Sequence, residues 1–194
     1  SALRQGFVVT FLTMEEPVFQ IQRRIYASLS TELGYYDFTY DKWKPDMIGK
    51  LESSVPYIGK LVVNDELDGF DLSEIVERLD EARDLLFGRP MVVLVDHLQL
   101  VKVSRGESIA TAATDVSEAL RQWAKKNRTL TIAASQLTAD ALREGRAPRS
   151  HDLWGGSAMY SNASQFFILD HTAKAVDSGH PHILRMWGML DKNR

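Results

Sequence analysis

The stretch MVVLVDHLQLV, Met91 to Val101, constrains the fold more than any other part of the chain. Its first five residues are apolar, three of them valine, and Gly88 and Pro90 stand just before it. An unbroken aliphatic run of this kind reads as a strand buried on both faces, which is the habit of parallel sheets. Asp96 then sits where the strand leaves the sheet. Ligands of open α/β sheets bind at the carboxyl ends of the strands, so Asp96 is placed to hold a divalent cation such as Mg²⁺ through its oxygens. A turn or helix-capping aspartate is the structural alternative.

Apolar runs recur on either side with helical segments between them. FVVTFL (Phe7 to Leu12) and KLVV (Lys60 to Val63) read as strands, as do LTIAAS (Leu130 to Ser135) and QFFILD (Gln165 to Asp170). A sixth strand begins near Ile183. Between the first two lies PVFQIQRRIYASLSTEL, with Val18, Ile21, Ile25 and Leu29 at helical spacing and Pro17 at a helix start. The next helix carries Leu72, Ile75, Val76, Leu79, Ala82 and Leu86 on one face, with Asp71 or Ser73 as its cap and Gly88 as its stop. TDVSEALRQWAKKN makes another, its lysines near the carboxyl end as the helix dipole favours. Alternation of strands and helices predicts an α/β fold with a mainly parallel sheet, and the last two strands, joined without a helix, predict an antiparallel addition at one edge near the C-terminus.

Length and composition set the outer limits. A chain of 194 residues with 44% hydrophobic content can bury one substantial core, which predicts one domain. The net charge of −3 requires any nucleic-acid surface to be local. There are no cysteines, so disulfides, cysteine zinc sites and thiol catalysis are excluded. No apolar stretch approaches the ~20 residues of a membrane span, and SALRQG does not make a signal peptide, so the expected location is cytoplasmic, away from any membrane. The chain opens on what reads as the end of a helix and contains no GxxxxGK[ST] phosphate loop, so residues 1–194 are expected to be a segment of a larger domain whose phosphate-loop strand and helix are missing. The sequence HPH, His180 to His182, reads either as an exposed hairpin loop or as a metal-binding stretch.

Polar groups gather at predicted strand ends: Glu15 and Glu16 after the first, Asp96 after the third, Ser135 and Gln136 after the fourth. In a parallel sheet these ends converge on one edge, so two carboxylates and an amide can line a single cleft. Such a set suits nucleotide hydrolysis. One carboxylate positions a metal, another orients or deprotonates water, and an amide senses the terminal phosphate.

These residues carry a family resemblance that runs through the whole chain. TMEEP (Thr13 to Pro17) resembles the SLEMP segment of DnaB-type hexameric replicative helicases, VVLVDHLQL resembles their Walker B segment IVIDYLQL, and VSEALRQWAKKNRTLTIAASQL resembles their helix and strand leading into SQL. KNR, Lys192 to Arg194, is similar to the family's KxR pair. The resemblance implies a RecA-like ATPase core beginning after the Walker A helix. It further implies Glu15 as catalytic glutamate, Arg24 as a nucleotide-contacting arginine, Asp96 as the Mg²⁺-side aspartate and Gln136 as the phosphate-sensing glutamine. Lys192 and Arg194 become the pair that reaches the neighbouring subunit's site, where an arginine finger neutralises charge on the transferred phosphoryl group. ATP as substrate with Mg²⁺, a homo-hexameric ring, single-stranded DNA, a primase or helicase loader as partner, and work at the replication fork or nucleoid all follow from the same resemblance.

APRSHDL, Ala147 to Leu153, resembles the loop leading into the family's DNA-contact motif RPxxSDLRESG. Where the family has DLRESG this chain has DLWGGS, and where it has IEQDAD this chain has MYSNAS. Trp154 is thus placed either to stack on a base or to pack under the loop or against a neighbouring subunit, while Gly155 and Gly156 offer backbone N–H groups to phosphates. Arg143, Arg146 and Arg149 make the preceding stretch basic, as a channel loop binding single strands requires, although a solvated surface loop has the same composition. The expected function is therefore a DNA helicase motor. Its alternatives are a RecA-like ATPase that serves as a switch or adaptor without translocating, and a non-hydrolysing domain that only builds an oligomer.

Overall fold

The structure is a computed structural model, and it describes residues 2–29, 61–85, 91–138, 152–154, 156–170 and 187–193. Four strands, β1 (Val8–Thr13), β2 (Leu61–Asp65), β3 (Met91–Asp96) and β4 (Leu130–Ala133), form one parallel sheet in the order β2-β1-β3-β4. Val8 pairs with Met91 and Thr13 with Asp96, so β1 and β3 lie in register and end together.

Burial explains the unbroken apolar run. Met91, Val93 and Val95 point into the larger core with Val8 and Leu12, whereas Val92 and Leu94 face the other way and join Leu3, Val9 and Leu61. A strand covered on both sides has no solvent face on which polar residues could alternate. Each fully buried valine or leucine contributes about 1.5–3 kcal/mol relative to exposure.

The helices supply the cover. Helix α1 (Val18–Leu29) starts beside Pro17, and the last residue of β2 caps it: the Asp65 carboxylate accepts from the Val18 N–H at 2.7 Å. Helix α2 (Leu72–Leu85) opens on a reciprocal capping box. Asp71 Oδ1 accepts from Glu74 N at 2.9 Å and Glu74 Oε2 accepts from Asp71 N at 2.8 Å, so Asp71 rather than Ser73 is the cap. Ile75, Leu79 and Ala82 form its buried face. Helix α3 (Ile109–Asn127) is capped by Ser108 and buries Ala112, Ala113, Val116, Leu120 and Trp123. The Trp123 indole N–H donates to Asp80 at 3.0 Å, which ties α3 to α2.

Between β3 and α3 the chain makes a single 3₁₀ turn, Leu98–Leu100. Gly69 fixes its position. This glycine has φ +83°, and a Cβ there would overlap the Leu100 carbonyl, so only glycine lets the Glu66–Phe70 turn lie against it. Lys102 N then donates to Phe70 O at 2.9 Å.

Farther along, α4 (Gly156–Asn162) packs on α3, with Met159 buried and Asn162 Nδ2 donating to Ser117 Oγ at 2.8 Å. Strands β5 (Gln165–Asp170) and β6 (Trp187–Asn193) then pair antiparallel, as expected, with an irregularity between Phe166 and Phe167, but among the described residues they form a two-stranded sheet of their own rather than the expected addition at the edge of the parallel sheet, because their backbone bonds go to each other. Ile183, where the sixth strand was expected to begin, lies outside the described residues, as do Leu86, Gly88 and Pro90.

Candidate functional site

Three neighbouring strands end on the same edge of the sheet, and the ladder continues past each of them. Met14 N donates to Asp96 O at 2.9 Å, Ala134 N to Val95 O at 2.9 Å, and Leu98 N to Ala134 O at 3.1 Å. Glu15, Asp96 and Gln136 are thereby delivered together, as strand-end spacing predicts. The buried Thr13 hydroxyl holds the turn that presents Glu15: it donates to Glu16 O at 3.0 Å and accepts from Glu16 N at 3.2 Å.

A cleft of about 350 Å³ opens beside these residues. Glu15, His97, Gln99, Gln136 and Trp154 line it, with Leu100 and Ile109 as its apolar part. The Asp96–His97 peptide is cis. His97 is 6% exposed, and its Nδ1 lies 3.3 Å from Glu15 Oε2 and 3.7 Å from Asp96 Oδ1. One ligand atom from each of Glu15, Asp96 and His97 falls within 4.8 Å of the others. Two carboxylates at that spacing are hard oxygen donors of the kind Mg²⁺ takes, so the donor set fits that ion. Asp96 makes no cap to the turn that follows it, whose first flanking residue is His97. Burial pushes its carboxyl above the ordinary aspartate range; Glu15 and Glu16 add to the effect, and His97 and Arg24 oppose it.

Arg24 and Glu16 form a two-pronged ion pair at the rim of the site. The Glu16 carboxylate, next to Glu15 in the chain, therefore holds Arg24 at this end of the sheet.

Two lining residues, His97 and Gln99, escaped the sequence reading. Gln99 is 8% exposed, and its amide is used on both sides. Nε2 donates to Ser135 Oγ at 2.6 Å and to Trp154 O at 3.3 Å, while Oε1 accepts from Gln136 N at 3.1 Å. The available signal was an amide between two leucines, just beyond the exit of a buried strand. A polar side chain flanked in this way must find partners when it is buried.

Of the remaining candidates, Trp154 is 42% exposed and lines the cleft, and Gly156 opens α4. Lys192 lies on β6, paired with Phe166 in the backbone register. Arg143, Arg146, Arg149, Gly155, Arg194 and the HPH stretch lie outside the described residues. Among the described residues no helix is long and apolar enough to cross a membrane.

Comparison with known proteins fits this geometry. A family model described as the DnaB-like helicase C terminal domain matches residues 1–186. One solved ATPase domain shares the fold with a TM-score of 0.75 at 20% identity, over 98% of this chain and 68% of that one. A DnaB-like replicative helicase solved for its interactions with primase shares it with a TM-score of 0.73 at 18% identity; 98% of this chain matches, and it spans 46% of that helicase. No curated protein matches the chain.

Proposed function

The chain belongs to the family of DnaB-like helicase C-terminal domains and has their RecA-like α/β fold, and from that premise we propose that it is the motor of an ATP-dependent DNA helicase. The observation that carries this reading is the delivery of Glu15, Asp96 and Gln136 by three adjacent strands to one edge of the sheet.

In the proposed reaction a water oxygen attacks the terminal phosphorus of ATP, and the bond to the bridging oxygen of ADP breaks. Glu15, exposed at the cleft, orients that water and takes its proton. Asp96, with Glu15 and His97 beside it, would hold Mg²⁺, which when bound neutralises charge on the phosphate oxygens. Gln136 reads the terminal phosphate through its amide, and Arg24 contacts the nucleotide from the rim. Lys192 and Arg194 act on the adjacent protomer of a hexameric ring, so that hydrolysis requires assembly. Arg143, Arg146, Arg149, Trp154, Gly155 and Gly156 contact single-stranded DNA in the channel. A solved relative was determined with its primase interactions in view, and a primase or a helicase loader is the partner we propose for the full-length protein, at the replication fork in the cytoplasm.

The test is Glu15→Gln in the full-length protein. Turnover should fall by about 10²–10⁴-fold with nucleotide affinity changed less than about twofold. Turnover within about tenfold of wild type would remove Glu15 from the mechanism.

The second reading, a RecA-like switch or adaptor that does not translocate, draws support from DLWGGS. This chain places Trp154 where the family has an arginine, and that tryptophan lies in the cleft beside Glu15 and Gln136. Stimulation of hydrolysis by single-stranded DNA separates the two.

A further inference from the structure

Residues 136–138 and 152–154 form a short antiparallel ribbon. Trp154 N donates to Gln136 O at 3.2 Å, Thr138 N donates to Asp152 O at 2.8 Å, and Leu137 bridges Leu153. One arm carries Gln136 and the other ends in Trp154. A single side chain from a third segment grips both arms: Gln99 accepts from Gln136 N and donates to Trp154 O.

The orientation of that amide is dictated by its partners. The Gln136 N–H can only donate and the Trp154 carbonyl can only accept, so oxygen must face the first and nitrogen the second. A carboxamide is planar, so its two ends turn together. If Gln136 N moves and the amide follows it, Nε2 must swing away from Trp154 O, or draw that carbonyl along. The base beneath Gln99 is fixed by Leu98, 3% exposed and bonded to Ala134 O at 3.1 Å, and by the Gly69 turn lying against Leu100. Gln99 therefore adds, from a fixed base, a side-chain link between the two arms beside their direct Trp154 N–Gln136 O bond.

We infer that Gln99 is a positioning residue that couples Gln136 to the Trp154 segment, so that nucleotide in the cleft and single-stranded DNA at Trp154 alter each other's affinity. This rests on the motor reading above, in which Gln136 senses phosphate and Trp154 contacts DNA. A buried amide with only a structural role would lower stability when replaced, but it would not set the ratio between two binding constants.

The experiment measures single-stranded DNA affinity of the full-length protein, with a labelled oligothymidylate, in Mg²⁺ plus either ADP or a slowly hydrolysed ATP analogue. Trp154 fluorescence is followed in the same titrations and assigned by subtraction of a Trp154→Phe variant. The wild type should bind DNA at least about fivefold differently in the two nucleotide states, and its Trp154 signal should change between them. Gln99→Met, which keeps the volume, should bring the two affinities within about twofold and flatten the Trp154 change. Gln99→Glu keeps the shape but cannot donate to Trp154 O, so it should do the same and serves if the methionine variant does not assemble. Folded, assembled variants that retain the wild-type ratio and signal overturn the inference while leaving the motor reading intact. A wild type with one DNA affinity in both states defeats the motor reading, and the inference with it.

Discussion

Asp96 shows what a half-buried carboxylate costs the fold that bears it. Its folded-state pKa lies above the ordinary value of 3.8, chiefly through burial, so the folded chain binds that proton more tightly than the unfolded one. The stabilising contribution is complete below the unfolded value and is lost as pH rises through the higher folded one. At about pH 7 the ionised group therefore works against the fold. Asp96→Asn should raise Tm there by about 1–3 °C, with the gain gone near pH ~3, while Mg²⁺-dependent turnover is lost; the side chain is partly exposed, which keeps the effect small. A lower Tm at neutral pH would contradict this account. Among single residues, the placement of Glu15, Asp96 and Gln136 at one sheet edge was legible because each follows an apolar run, and the end of a run marks the edge of a sheet. Gln99 was not. Its partners Ser135, Gln136 and Trp154 lie far along the chain, and nothing local distinguishes a polar residue that will be gripped on two sides from one that is solvated.

At the level of elements, the Glu66–Phe70 turn and the Leu98–Leu100 turn act as one unit because Gly69 permits contact. Gly69→Ala adds both left-handed strain and a collision with the Leu100 carbonyl, and should lower Tm by about 4–10 °C. It should also reduce kcat by about tenfold or more at temperatures where the variant stays folded, because Gln99 sits on the displaced turn. Gly106→Ala is the control. Its φ is +87° but nothing lies within 4 Å of the added carbon, so it should cost about 1–2 kcal/mol of stability and leave kcat unchanged. Equal losses of kcat in the two variants would show that backbone strain, not displacement of the turn, is responsible. The elements themselves were read well in kind and less well at their ends. Runs such as FVVTFL predicted β1 because branched aliphatics fit a sheet with two covered faces, but the structure shifts the strand to Val8–Thr13. Capping likewise fell to Asp71 rather than Ser73, since Asp71 stands three residues before Glu74, the spacing a reciprocal capping box needs, whereas Ser73 has Val76 there.

For the whole molecule, the decisive prediction concerns assembly. In the full-length protein, single-stranded DNA should stimulate steady-state hydrolysis by about tenfold or more, and Arg194→Ala should abolish the stimulation, because a finger supplied in trans contributes about 10³–10⁵ in rate. A rate indifferent to DNA favours the switch or adaptor reading. The parallel sheet was legible from the alternation of runs and helices, whereas strand order was not, since no periodicity states which strands become neighbours. That order carries a further consequence for how the chain acquires its shape. Within the four-stranded sheet β1 lies between β2 and β3, whose residues emerge about 50 and about 80 positions after it. Both pairings are parallel, so neither neighbour reaches it through a hairpin. At ribosomal speeds of about 5–20 residues per second, β1 waits several seconds for these two partners, so Val8 and Leu12 form an apolar segment of the nascent chain that is exposed to aggregation until β2 and β3 arrive.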